Sequence, residues 1–219
     1  DMIVHKKCII QSDLDGVVFD ILPLLKAVVW RTTAIMLETD DFSPDVHGEE
    51  RFSRLIVRKG REQGRGAHIT EDHLRNVQSQ LRDWQQCLSM AGVIEPLWKA
   101  LSLWAYKMRP LHYASARTGE EVCMSTASQM YWLGMLKGIT PEFHWGKDKL
   151  AVLEELSKEG DVVVLEDDPI TIARLASSNL ARAILVPAQP WNTCIPGMGF
   201  QDVYRMSAAD VAQLLMVES

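Results

Sequence analysis

The hydrophobic pattern changes character along the chain. After residue 95, short apolar runs alternate with stretches whose apolar residues recur every three or four positions. Pro96 to Met108 carries Leu97, Leu101, Trp104 and Ala105 at helical spacing and is stopped by Arg109-Pro110. Leu111 to Ala114 then reads as a strand, and Thr118-Gly119-Glu120-Glu121 as a capping box opening a helix that reaches about Leu136. Glu142 to Trp145 reads as a strand, Lys149 to Leu156 as a helix, and Asp161 to Leu165 as a strand with an unbroken apolar run. Ile170 to Leu180 is helical, Ala183 to Val186 a strand, and Ser207-Ala208-Ala209-Asp210 caps a last helix. Such alternation predicts parallel strands joined by crossover helices.

The first ninety residues read differently. Ile3 to Ile10 is expected to be a short buried strand with a polar break at His5 to Lys7, belonging to the same sheet. Between about Asp20 and Ala91 the runs are helix-length and amphipathic. Ile21 to Leu37 is one; Thr70 caps another that continues through Leu74, Val77, Leu81, Trp84 and Leu88. Arg51 to Arg65, with six basic residues, reads as a solvated loop or helix end rather than an anion-binding edge. The fold class is therefore α/β: a Rossmann-like parallel sheet core flanked by helices, with a mainly helical cap inserted after the first strand. The core takes residues 1–19 and 92–219, and the cap 20–91.

Composition narrows the partners. With 23 basic and 29 acidic residues the net charge is −6, so nothing global attracts nucleic acid or an anionic membrane. Cys8, Cys87, Cys123 and Cys194 are far apart and form no C-x-x-C, which argues against a zinc site or disulfide framework and for a reducing, cytoplasmic location. The most lipid-like run, Ile21 to Leu37, is broken by Pro23, Lys26 and Arg31 and reads as a buried helix, not a membrane span. The short lead into the first strand suggests no signal peptide.

The chemistry collects at strand ends. Asp13-Leu14-Asp15-Gly16-Val17 places two carboxylates one residue apart after the apolar run Cys8-Ile9-Ile10, and two such acids repel unless a divalent cation or a shared proton offsets them. Ser115, Lys149 and Glu166-Asp167-Asp168 also fall where strands end or helices begin, and in a parallel sheet those ends share one rim. Phosphoryl transfer explains the set. Phosphate monoesters require rate factors approaching about 10²¹, and an anionic nucleophile is repelled by the dianion. Magnesium held by acids from two strand ends, with Lys149, would offset that repulsion. One carboxylate could then attack while the other carries the proton. Ser115 and the backbone N–H of Ala116 would bind phosphoryl oxygens.

The ordered set Asp13-Leu-Asp-Gly-Val17, Ser115 after an apolar strand, Lys149, and Val164-Leu-Glu-Asp-Asp168 resembles the four motifs of the haloacid dehalogenase superfamily of phosphotransferases. The resemblance covers residues 5 to 19 and 96 to about 206. It implies that Asp13 is the nucleophile, Asp15 the general acid and base, Ser115 with Ala116 a phosphate ligand, and Lys149 the charge-stabilising lysine. Magnesium would be held by Asp13, the backbone carbonyl of Asp15 and Asp167, with Glu166 in support. Lys147 competes with Lys149, and Asp168 with Asp167. Leu165-Glu-Asp-Asp-Pro169, Gln189-Pro-Trp-Asn192 and the helical insert look like the 5'(3')-deoxyribonucleotidase branch, although Asp168 and Ala116-Arg117 depart from its pattern.

These features set the functional expectations. The chain is expected to be a magnesium-dependent phosphomonoester hydrolase, acting on nucleoside monophosphates or, alternatively, as a phosphatase or phosphomutase of sugar phosphates. A 3'-end nucleic-acid phosphatase rests only on Arg51 to Arg65, and a non-enzymatic binding protein leaves the charge cluster unexplained. Arg117 reads as a second anion contact or a surface charge, and Phe19 and Trp191 as substrate contacts or packing. A homo-oligomer is compatible with the sequence.

Overall fold

The computed structural model describes residues 3–43, 49–82, 92–134, 141–195, 199 and 202–217. Its centre is a six-stranded sheet built from β1 (Ile9–Ser12), β4 (Leu111–Ser115), β5 (Glu142–Trp145), β6 (Val162–Leu165), β7 (Ala183–Pro187) and β8 (Val203–Met206), in the order β5-β4-β1-β6-β7-β8. All of its pairings are parallel. A second, two-stranded antiparallel sheet joins β2 (Phe19–Asp20) to β3 (Gly92–Val93).

Side chains alternate across the large sheet, as the strand repeat requires. Ile10, Tyr113, Val163, Leu165 and Leu185 face one side, where they pack with Leu97 and Trp104 of α4 (Glu95–Tyr106), Met130 of α5 (Glu120–Trp132) and Val211 and Leu215 of α8 (Ala208–Val217). Ile9, Ala114, Val162, Val164, Ile184 and Val186 face the other, against α6 (Lys149–Leu156) and α7 (Pro169–Ser177). Burial on both faces is why β6 and β7 read as unbroken apolar runs. From β1 the chain first builds outward to β4 and β5, then returns to β6 on the other flank. The residues after β1 therefore sit at the switch point of the sheet.

Among the described residues, three α-helices lie within the stretch between β2 and β3: α1 (Leu22–Thr33), α2 (Glu49–Glu62) and α3 (Glu71–Arg82). They share an apolar cluster separate from the sheet's two faces, formed by residues such as Val28, Val29, Ile35, Ile56 and Val77, and Trp191 is part of it.

Several expectations are corrected. The first strand is Ile9–Ser12, not Ile3 to Ile10; His5 to Lys7 lies in a turn closed by the Cys8 N–H on the His5 carbonyl (2.9 Å). Arg51 to Arg65 is mostly helix, because Phe52, Leu55 and Ile56 supply an inward face and the basic residues form the exposed one. The Thr118 capping box does not form: Gly119 is the N-cap, at φ 91°, with no side-chain hydrogen bond, and the helix ends at Trp132. Thr70 does cap α3, its Oγ1 accepting from the His73 N–H at 3.3 Å. β2, β3 and β8 were not expected. Trp84, Leu88 and Leu136 lie outside the described residues.

Candidate active site

The turn after β1 is fixed from both flanks. The Asp13 N–H donates to the Leu165 carbonyl (2.9 Å), tying the end of β1 to the end of β6, and Leu14 N–H donates to Asp13 Oδ1 (2.7 Å). Gly16 follows at φ 74°, and a Cβ there would lie 2.0 Å from Asp167 Oδ2. Its positive φ and the approach of Asp167 both require a residue without a side chain.

Three acids converge on this turn. Ligand oxygens of Asp13, Glu166 and Asp167 all lie within 4.8 Å of one another. Lys149, at the first turn of α6, donates from Nζ to Asp13 Oδ2 (2.6 Å) and Glu166 Oε2 (2.7 Å). The start of α6 is held by the buried β1 residue Gln11, whose Nε2 donates to the Lys149 carbonyl (3.1 Å). Glu166 Oε1 accepts from the N–H groups of Asp167 and Asp168, both at 3.2 Å.

The electrostatics are those of a site with surplus negative charge. Burial pushes the Glu166 carboxyl up to about 8, with the charge of Asp13 adding to the shift and Lys149 opposing it. Asp167 is also raised, by burial and then by Glu166 and Asp13, against the hydrogen bond from Trp191. Burial alone would lower the Lys149 ammonium, but Asp13 and Glu166 more than offset it and hold the lysine charged. One lysine against three clustered carboxylates leaves a set of hard oxygen donors suited to a divalent cation such as Mg²⁺.

Asp15 is turned to a different partner. Arg117 grips it with two hydrogen bonds, Nε to Oδ2 (3.0 Å) and Nη2 to Oδ1 (2.5 Å). The remaining Nη1 donates to Thr126 Oγ1 (2.8 Å), and the guanidinium lies 5.2 Å from the Phe19 ring centroid. Burial raises the Asp15 carboxyl, Arg117 lowers it and Asp13 raises it again, leaving it above the ordinary range.

The loop after β7 closes the other flank. Trp191 Nε1 donates to Asp167 Oδ2 (2.8 Å), Asn192 Nδ2 to the Asp167 carbonyl (3.2 Å), and Gln189 Nε2 to the Gly16 carbonyl (2.9 Å). Arg205 in turn donates to Asn192 Oδ1 (2.9 Å).

The structure thus links Asp13, Lys149, Glu166, Asp167 and Trp191 at one rim and pairs Asp15 with Arg117 beside it. Ser115 is fully buried, with its Oγ accepting from the Arg117 N–H at 3.2 Å, and Ala116 is exposed at the end of β4. Of the two competing lysines, Lys149 reaches the acids while Lys147 is exposed. Of the competing aspartates, Asp167 joins the acid cluster, whereas Asp168 caps α7 by accepting from Thr171 N–H (2.8 Å) and Oγ1 (2.5 Å). Phe19 is fully buried beneath Arg117 and presents no free surface to a ligand. Arg117 is only 2 % exposed, so it is not the surface charge that its position beside a helix suggested. Gln11 and Thr126 were missed, for single polar residues in apolar surroundings carry no periodic signal.

The fold is that of solved haloacid dehalogenase-like hydrolases. It matches a predicted phosphoglycolate phosphatase from Haemophilus somnus (TM-score 0.62, 14% identity, 96% of this chain and 99% of that one). It also matches a haloacid dehalogenase family hydrolase from Deinococcus radiodurans (0.59, 16%, 97% and 99%) and a β-phosphoglucomutase from a Pyrococcus species (0.55, 17%, 96% and 99%). No family model and no curated protein matches the sequence. The nucleotidase branch finds no support among these neighbours.

Proposed function

We propose that the chain is a phosphoric monoester hydrolase that uses Mg²⁺ and an aspartyl-phosphate on Asp13. The observation that carries this reading is the opposition of Asp13, Glu166 and Asp167 to a single Lys149 at the switch point of the sheet. That arrangement has a nucleophilic carboxylate, a cation-binding acid set and a fixed positive charge within one cluster. The Deinococcus neighbour was solved with bound phosphate and sodium.

Asp13 and Asp167, supported by Glu166, would hold the metal, together with the backbone carbonyl of Asp15. When bound, Mg²⁺ supplies Lewis-acid neutralisation of the phosphoryl charge. Asp13 attacks phosphorus; the bond to the leaving oxygen breaks, and Asp15 gives that oxygen its proton. Asp15 then takes a proton from the water that cleaves the acyl-phosphate, returning Asp13 and releasing inorganic phosphate. The raised carboxyl of Asp15 suits a proton carrier, and Arg117 is its positioning residue. Ser115 and the N–H of Ala116 bind the transferred group, and Lys149 stabilises its charge.

Residues 20–91 act as the cap. Their helices share an apolar cluster with Trp191, the residue that also holds Asp167, so movement of the insert is linked to the metal-binding acids. The substrate is a small phosphomonoester. Nucleoside monophosphates are the first class to try and sugar phosphates or other small metabolite phosphates the second, the latter in keeping with the predicted phosphoglycolate phosphatase and the β-phosphoglucomutase that share the fold. Nucleic-acid ends are disfavoured by the net charge of −6, and on α2 Arg54 pairs with Glu50, Arg58 with Glu62, and Lys59 with Asp41 and Glu62.

The test is phosphate release from a panel of nucleotides, sugar phosphates and an aryl phosphate in Mg²⁺. Asp13→Asn should lower release by at least about a thousand-fold. Wild-type turnover in that variant would remove Asp13 as nucleophile. Exchange between sugar phosphates without net release would assign a mutase instead.

A further inference from the structure

At the far end of β4 from Ser115, a second group of metal-ligating side chains lies outside the acid cluster. His112 and Glu142 are direct cross-strand partners on β4 and β5, and His144 is two residues further along β5 on the same face. Their ligand atoms all fall within 4.8 Å of one another. The separations are 3.2 Å between His112 Nδ1 and His144 Nε2, 3.6 Å from His112 Nδ1 to Glu142 Oε2, and 3.8 Å from His144 Nε2 to Glu142 Oε1.

From these contacts we infer a second, structurally separate metal site, made by His112, His144 and Glu142 and suited to a borderline divalent cation such as Zn²⁺. Bonds of 2.0–2.1 Å at tetrahedral angles place two ligand atoms about 3.3 Å apart, close to the separation found between the imidazole nitrogens. Two imidazoles and one carboxylate form a donor set that such cations prefer and Mg²⁺ does not. Three protein ligands leave a fourth position toward solvent.

Charge, burial and access support the assignment. Glu142, Glu155 and Glu159 act on the pair against Lys147, giving an excess of negative charge around it. His144 is 4 % exposed, so its Nε2 is held in place facing His112 and Glu142. Access exists as well: a depression of about 250 Å³ lined by Met108, Arg109, Pro110 and Pro141 reaches His112 and Glu142. An ion here would staple the edge strand β5 to β4, independently of phosphoryl transfer.

The test uses the full chain, stripped with chelator and titrated with Zn²⁺ alone. Because the rim acids also accept cations, Asp167→Asn serves as background. We expect one Zn²⁺ per chain in that background and, with Co²⁺ in its place, the visible absorption of a four-coordinate nitrogen and oxygen site. His144→Gln or His112→Gln should weaken Zn²⁺ binding by at least about ten-fold. The exposed Glu142→Gln, which spares the packed rings, should weaken it too and decides the matter if a histidine variant misfolds. Mg²⁺-dependent phosphate release should be unchanged by His112→Gln. Zn²⁺ affinity unchanged in all three variants, or no cobalt absorption in the Asp167→Asn background, would overturn the site and leave a histidine pair sharing one proton.

Discussion

At the strand rim Lys149 touches two carboxylates, and Arg117 grips a third with its own side chain 1 % exposed. On α2 the ion pair Arg54–Glu50 joins side chains 69 % and 84 % exposed. The same residue types therefore do different things. On the helix each ion keeps most of its hydration, and the attraction is screened by solvent and salt. At the rim most hydration is gone, so each charge depends on the partner the fold provides, and losing one leaves another stranded. Charge on the exposed face of α2 decorates a surface; charge at the rim is held at a desolvation cost that its buried partners offset.

Substitutions can break that contrast. Arg117→Met leaves Asp15 without its two-pronged partner and should destabilise the fold by about 3 kcal/mol, with the double variant Asp15→Asn/Arg117→Met regaining part of the loss in urea denaturation. If the single variant costs no more than a surface pair does, Asp15 is not dependent on Arg117. Next in size is the cation itself. Mg²⁺ at about 100 times its Kd should raise stability by about 2.7 kcal/mol, seen as a chelator-reversible rise in Tm that Asp167→Asn removes. An unaltered Tm in the wild type would separate the acid cluster from metal binding. Smallest of all, Glu50→Ala with Arg54→Ala should change unfolding free energy by less than about 0.5 kcal/mol; a larger loss would mean that the insert's charges are not merely surface groups.

The same contrast governs what could be read from the chain. The sheet was legible because strands covered on both faces must be apolar throughout, as Val162 to Leu165 and Ala183 to Val186 are, and because the polar residues ending them stand out. Lys149 to Leu156 was legible to the residue from the helical spacing of Val152, Leu153 and Leu156; Asp148, which caps it by accepting from the Leu150 and Ala151 N–H groups, was not singled out. β8 was not, for an edge strand reading Val-Tyr-Arg-Met is only partly buried and has no clean alternation. β2 and β3 are two residues each and leave no periodic trace. In α2 the basic residues drew attention away from Phe52, Leu55 and Ile56, whose spacing is helical. At the site, the acids and Lys149 announced themselves by position. The partnership of Arg117 with Asp15 did not, because it joins residues 102 apart and depends on how β1 and β4 pair.

The short antiparallel pairing of Phe19 with Val93 and Asp20 with Gly92 has a consequence for how the chain evolves and folds. It brings the departure and return of the long excursion side by side, so the sheet experiences that excursion as a closed loop. Closing a loop of roughly 70 residues costs about 4 kcal/mol in chain entropy, and doubling it adds only about 0.6. A module mounted on such a clasp can lengthen, shrink or be exchanged with little penalty to the scaffold.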